Sequence, residues 1–153
     1  FNGLPVVLVG GPFELLARQG AAFKIKLEKH ASGDCDLLAA IEDFRTPTHE
    51  SMEGIVYAAL SAAVDGKPIA IGCRAGRGRT GLVFACIAKA CGVSDPTADV
   101  RERYRHEAVE TPNQERFVED FDTGALTYRL LGLAWVLDFR KCLKMMTSPL
   151  LKV

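Results

Sequence analysis

Cys73-Arg74-Ala75-Gly76-Arg77-Gly78-Arg79-Thr80-Gly81 lies between two apolar runs of different periodicity, and this arrangement limits the folds open to the chain more than any other feature. Upstream, Lys67-Pro68-Ile69-Ala70-Ile71-Gly72 is short, β-branched and opened by a proline, which predicts a strand. Downstream, apolar residues recur at helical spacing, predicting a helix over Arg79–Ala90. A strand that passes through a glycine-rich turn into a helix leaves unpaired backbone N–H groups and the positive end of the helix dipole at the turn. That end favours an anion, both in a ligand and in the Cys73 side chain as thiolate. Arg79 adds a planar fork of donors, so the amides of Arg74, Ala75, Gly76, Arg77 and Gly78 and one guanidinium converge on a single tetrahedral oxyanion. Gly76 and Gly78 allow backbone angles and a ligand approach that a Cβ would obstruct, and the Thr80 hydroxyl is placed to hydrogen-bond the sulfur. The segment reads as a phosphate cradle with a nucleophile in it.

Other phosphate or metal loops fit less well. The run does not end in Gly-Lys-Ser/Thr, which excludes a Walker A loop, and a dinucleotide fingerprint has no use for Cys or Arg. No second Cys or His lies at zinc-ligand spacing, so neither a metal nor an organic cofactor is expected.

These residues resemble the protein tyrosine phosphatase superfamily, whose signature is Cys, five residues, Arg, then Ser or Thr. The basic-Ala-Gly-x-Gly-Arg-Thr-Gly pattern is similar to that of lipid phosphatases and cell-cycle dual-specificity phosphatases, with Arg74 and Arg77 in both basic slots. The resemblance covers roughly residues 5 to 122. It implies an α/β fold with a central, mostly parallel sheet flanked by helices, and a catalytic domain over residues 1–122 followed by a helical extension over 123–153. It also implies a general acid in a loop ahead of the cysteine, because expelling an alkoxide or phenoxide requires a proton. Within Ile41-Glu42-Asp43-Phe44-Arg45-Thr46-Pro47, Asp43 matches that acid, with Ile41 and Glu42 in place of the family's Trp and Pro; Glu42, Asp36 and Asp34 are substitutes. Gln114, in the first turn of a Pro112-started helix, matches the residue that orients the hydrolytic water. One departure is Gly72, where the family usually has His.

The implied activity is a cysteine-dependent phosphomonoesterase acting on phosphoprotein, with an inositol phosphate or phosphoinositide phosphatase as the alternative and a non-catalytic phosphate-recognition module as a third. At 153 residues without a Ser-rich, Pro-rich or repetitive divider, one domain is expected. Nineteen basic and nineteen acidic residues balance, which removes any global electrostatic case for nucleic acid or for a membrane surface. Cys35, Cys73, Cys86, Cys91 and Cys142 have no disulfide-framework spacing, and a reactive thiol suits a reducing, cytoplasmic setting.

Strands are predicted at Pro5–Val9 and Ala22–Leu27, Leu37–Ile41 leads into the acid loop, and helices are predicted at Pro12–Arg18, Glu50–Val64, Pro96–Tyr104 and Pro112–Phe121. The tail from Thr123 is apolar on much of its circumference, from Leu126 through Leu130, Trp135 and Phe139, and Arg129, Asp138, Arg140, Lys141 and Lys144 interrupt it too often for a spanning segment of about twenty apolar residues. Packing on the catalytic domain is the plain expectation, a homodimer contact or an interfacial helix the others. His30, His49 and His106 receive no function.

Overall fold

The computed structural model describes residues 6–18, 20 and 22–136, the side chains of residues 131–136 excepted. Four parallel strands, β1 (Leu8–Pro12), β2 (Phe23–Lys26), β3 (Leu37–Leu38) and β4 (Ile69–Cys73), form one sheet in the order β1-β4-β2-β3. The helices are α1 (Phe13–Leu16), α2 (His49–Val64), α3 (Gly78–Ala90), α4 (Pro96–Arg103), α5 (Pro112–Asp120) and α6 (Gly124–Val136). This is the α/β architecture expected, with an entirely parallel sheet.

Every residue of β4 is buried, as its continuous apolar run requires of a central parallel strand. It pairs Gly72 with Gly11 of β1 and with Lys26 of β2, and Cys73 with Pro12. Because all four strands run the same way, their carboxyl ends lie along one edge of the sheet, which is where open α/β sheets hold ligands. The segments after β2, β3 and β4 therefore emerge together. Pairing outlasts the short β3: the Ala39 N–H donates to the Lys26 carbonyl at 2.9 Å and the Ile41 N–H to that of Leu27 at 3.2 Å. This carries Ile41 to the site edge, where the acid loop begins.

The first strand is displaced from the expected Pro5–Val9, and Pro5 itself lies outside the described residues. Gly10, Gly11 and Pro12 continue the strand because their partners in β4 are there to be paired, whatever their weak strand propensity. The expected helix over Pro12–Arg18 is one turn, α1. The caps explain the other boundaries. Thr48, Asp95 and Thr111 accept the N–H groups of Ser51, Ala98 and Gln114 at the starts of α2, α4 and α5, and prolines open the latter two.

Of the tail, the described part of α6 ends at Val136. Leu126 and Leu130 are buried, each worth about 1.5–3 kcal/mol. Arg129 pairs with Glu53 of α2 at 3.1 Å and lies over the Tyr57 ring. The expectations for Phe139, Asp138, Arg140, Lys141, Cys142 and Lys144 and for the side chain of Trp135 fall outside the described residues. Among the described residues, no helix is long and apolar enough to cross a membrane.

Candidate active site

Cys73 ends β4 and Gly78 begins α3, so the loop between them closes over seven residues from thiol to hydroxyl. The Cys73 sulfur accepts the Gly76 N–H at 3.2 Å and the Thr80 hydroxyl at 3.3 Å, and the Thr80 oxygen accepts the Cys73 N–H at 3.1 Å. Burial by itself pushes this thiol up. The Thr80 hydroxyl and the N–H groups of Thr80, Gly76 and Arg77 outweigh it and hold the thiol below its ordinary value.

Gly76 has φ +68°, and a Cβ there would meet the Gly11 Cα at 2.5 Å and the Gly11 carbonyl oxygen at 2.9 Å. The cradle thus rests on β1, and glycine meets both the turn geometry and the close approach. The same contact explains Gly72. A Cβ there would come within 2.7 Å of the Phe13 Cα and 2.9 Å of the Gly11 carbonyl oxygen, so the β1–α1 turn fills the volume an imidazole would need. Tyr104, which sequence reasoning passed over, donates its hydroxyl to the Gly76 carbonyl and presents its ring edge-on to Phe84 at 4.8 Å between centroids. Burial pushes its phenol up to about 12, which keeps it a donor at neutral pH.

Arg79 is buried at 4% exposure and held on three sides. Its Nη1 donates to the Ile41 carbonyl at 2.8 Å and lies 2.9 Å from Glu28 Oε2, and its Nη2 lies 3.0 Å from Asp43 Oδ1. Of the four acidic residues expected near here, Asp43 is the one in contact with Arg79. Asp36 instead accepts the Lys24 N–H at 2.8 Å on the flank of β2, and Glu42 and Asp34 are exposed. Glu28 was not anticipated. The signal for it was its place two residues beyond the carboxyl end of a parallel strand. Desolvation pushes the Glu28 carboxyl up, and the Arg79 guanidinium and the His30 N–H outweigh it, leaving it below the usual carboxylate range. Arg74, Ala75 and Arg77 are exposed.

Gln114 is fully buried. Its Oε1 accepts the Glu110 N–H at 3.0 Å and its Nε2 donates to the Arg45 carbonyl at 3.4 Å. The two non-glycine residues with left-handed backbone among the described residues, Phe44 (φ +59°) and Val109 (φ +57°), each directly precede one of those anchored residues. Such conformations cost on the order of 1–3 kcal/mol each and persist where neighbours over-determine them. The buried amide is what holds the two turns. His106 is solvated beside Glu107, His30 supplies a backbone N–H to Glu28, and His49 stacks on Phe117 with ring centroids 4.6 Å apart.

A sulfur under converging donors, an adjacent guanidinium and a carboxylate on that guanidinium are the parts needed to bind a phosphate monoester, attack it and protonate its leaving group. Two uncharacterized proteins of Methanocaldococcus jannaschii are each 41% identical to this chain over 85 residues, or 56% of its length. The matched stretch spans little over half of each relative, 58% and 54%. Among solved structures, Tk-PTP in its active form superposes with a TM-score of 0.64 at 23% identity, over 79% of this chain and 93% of that one. PTPMT1 in complex with PI(5)P gives 0.64 at 16% identity over 81% and 94%, and the core catalytic domain of the PP-IP phosphatase SIW14 from S. cerevisiae gives 0.61 at 18% over 94% and 96%. Those likenesses establish a cysteine-phosphatase fold. Residues 13–92, just over half of the chain and including strand, cradle and most of the site, match the family described as Tc-R-P, polymorphic toxin system, DSP-PTPase phosphatase; the chain belongs to that family.

Proposed function

We propose that the protein hydrolyses phosphomonoesters on proteins, phosphotyrosine first and phosphoserine or phosphothreonine with it, through a cysteinyl-phosphate intermediate. The observation that supports this most is the Cys73 sulfur lying under the Gly76 N–H and the Thr80 hydroxyl, in a loop whose next functional residue is the braced Arg79. Cys73 thiolate attacks phosphorus in line, forming the S–P bond. The amides from Arg74 to Gly78 and the Arg79 fork hold the three equatorial oxygens, where fixed charge stabilises the transition state. The phosphate takes over the Nη2 edge of Arg79 that Asp43 occupies in its absence. Asp43, protonated, gives its proton to the departing oxygen as the ester bond breaks. Water then attacks phosphorus, its proton passes to Asp43, the S–P bond breaks, and inorganic phosphate and the thiolate are released.

In this scheme Gln114 acts through the acid loop. Arg45 and Glu110 take one N–H and one lone pair of its amide, which leaves a second N–H and a second lone pair able to orient the hydrolytic water.

A second reading is favoured by Arg74 and Arg77, exposed on the cradle itself, which suit a compact ligand with several phosphates such as an inositol phosphate. PTPMT1 with PI(5)P and the PP-IP phosphatase SIW14 share the fold. Phosphate release by wild-type and Cys73→Ser protein, under reducing conditions, from an aryl phosphate, a phosphotyrosyl peptide and a polyphosphorylated inositol decides between the two. We expect Cys73-dependent release with the peptide ahead of the inositol; the reverse order establishes the second reading, and release that survives Cys73→Ser overturns the mechanism.

A further inference from the structure

A hollow of about 470 Å³ is lined by the acid loop, the start of α2 and α5. It is lined by the charged Arg45, Arg116 and Asp120, by the stacked rings of His49 and Phe117, and by Thr46 and Asn113. Arg116 donates to Asn113 Oδ1 at 3.1 Å, which turns its guanidinium toward the N-terminal end of α5 and away from Asp120, one helical turn further on. Among the described residues no carboxylate is within ion-pair distance of Arg45 or Arg116. Two arginines therefore line one hollow with a single acidic residue, Asp120, in its lining. The mechanism above uses neither side chain.

The position of the hollow is what gives it meaning. Arg45 is two residues from Asp43, a separation of at most about 7 Å along the chain, and Asp43 touches the phosphate-binding Arg79. The Arg45 backbone is pinned by buried Gln114, so its side chain leaves a fixed point on the loop that carries the acid. An extended peptide advances roughly 3.3–3.6 Å per residue, so two or three residues of a substrate match the separation between Asp43 and Arg45.

We infer that the hollow lined by Arg45, Asn113 and Arg116 is a second anion subsite, which takes an acidic side chain or a second phosphoryl group two or three residues from the phosphate being hydrolysed. This rests on the phosphoprotein reading, and it names the substrate class within it: phosphopeptides with a neighbouring negative charge. The planar fork of Arg suits either a carboxylate or a phosphoryl group. Occupying the subsite also draws the acid loop toward α5, the same direction in which Gln114 holds it.

The test is kcat/KM for phosphotyrosyl peptides that differ at one position, three residues from the phosphotyrosine on either side, carrying Ala, Glu or phosphoserine. Wild-type protein should prefer Glu and phosphoserine to Ala by about 5- to 30-fold on one side, with the preference shrinking as salt rises. Arg116→Glu should abolish or invert it, and Arg45→Ala with Arg116→Ala should bring the three peptides together. Arg116 is exposed, and an unchanged melting temperature with Arg116→Lys retaining part of the preference would separate lost recognition from lost structure. Equal rates on all three peptides with wild-type protein, or a preference that survives the double substitution, overturn the subsite while leaving the phosphoprotein reading intact. No release from any peptide alongside release from a polyphosphorylated inositol overturns that reading first, and the subsite with it.

Discussion

The cradle and the acid loop meet at Arg79 and are built in opposite ways. From Cys73 to Thr80 the cradle is a single short stretch whose working groups satisfy one another: Thr80 receives from the Cys73 backbone and donates to its sulfur, and Gly76 donates to the same sulfur. The cysteine, arginine and threonine are all buried. The acid loop is exposed, with Asp43 54% accessible, and it is held by contacts from residues far along the chain: Arg79 to Ile41 and Asp43, Gln114 to Arg45. Half of the site is thus fixed by local covalent connection, and half by tertiary contacts. Damage to the first half should remove the chemistry, and damage to the second should retune it.

Cys73→Ser is the largest such effect. A hydroxyl under the same donors is no thiolate, and turnover should fall by at least ~10⁴-fold while phosphate-analogue binding persists, read by calorimetry beside a rate assay. Arg79→Lys comes next. A point charge cannot hold Ile41, Glu28 and two phosphate oxygens at once, so kcat should drop about 10²–10³-fold with a smaller change in KM. Asp43→Asn should cost about 10²–10³-fold for an aryl phosphate with a poor leaving group and far less for a good one, because only the former needs the proton. Equal losses on both substrates would remove Asp43 from the acid's place.

Thr80→Ala probes the cradle more gently. The thiol now sits below its ordinary value because donors outweigh burial; without the hydroxyl, burial gains and the value moves up. Thiolate forms as pH rises through that value, so the acid limb of kcat/KM and the midpoint of iodoacetamide labelling should both shift to higher pH, with neutral-pH activity down about tenfold. The linkage has the matching sign. A depressed folded value contributes stability above the unfolded value and loses it as pH falls through the folded one, and Thr80→Ala narrows that window.

The same contrast decides what could be read from the residues alone. Strand, cradle and helix over Ile69–Ala90 were readable because their chemistry is contiguous: Gly76 and Gly78 signal the turn, the change of hydrophobic period marks strand and helix, and Cys73, Arg79 and Thr80 sit at fixed spacing. Asp43 was found only through resemblance, since nothing local distinguishes it from Glu42, Asp36 or Asp34; the structure separates them by which one reaches Arg79. Glu28 and Tyr104 escaped notice because a carboxylate after one strand and a phenol after a helix acquire their roles only when the parallel sheet brings its carboxyl ends together. Gly72 looked like a missing histidine, and its cause lies in a neighbour distant in sequence, the β1–α1 turn. The first strand was misplaced for a related reason. Gly10 and Gly11 carry no strand signal and are strand because β4 pairs with them.

Gln114 brings the comparison to its finest point, since it belongs to neither half and yet fixes the geometry between them. Its replacement by Ala leaves the Arg45 carbonyl and the Glu110 N–H without a partner and frees the two turns that Phe44 and Val109 hold in left-handed backbone. If the amide serves the acid loop, Gln114→Ala should lower kcat for a poor leaving group about 3- to 10-fold and leave a good leaving group almost unchanged, the same selectivity as Asp43→Asn on a smaller scale. Amide exchange at residues 43–46 should quicken, and exchange in the buried strand β4 should not. If instead the amide aims water at the cysteinyl-phosphate, the loss falls on the second step, which is common to every substrate. Both leaving groups would then slow equally, and a burst of the released alcohol would precede steady turnover. Combining Gln114→Ala with Asp43→Asn sharpens the distinction, because two residues acting through one proton transfer lose less together than the product of their separate losses, whereas residues acting on separate steps do not share that deficit.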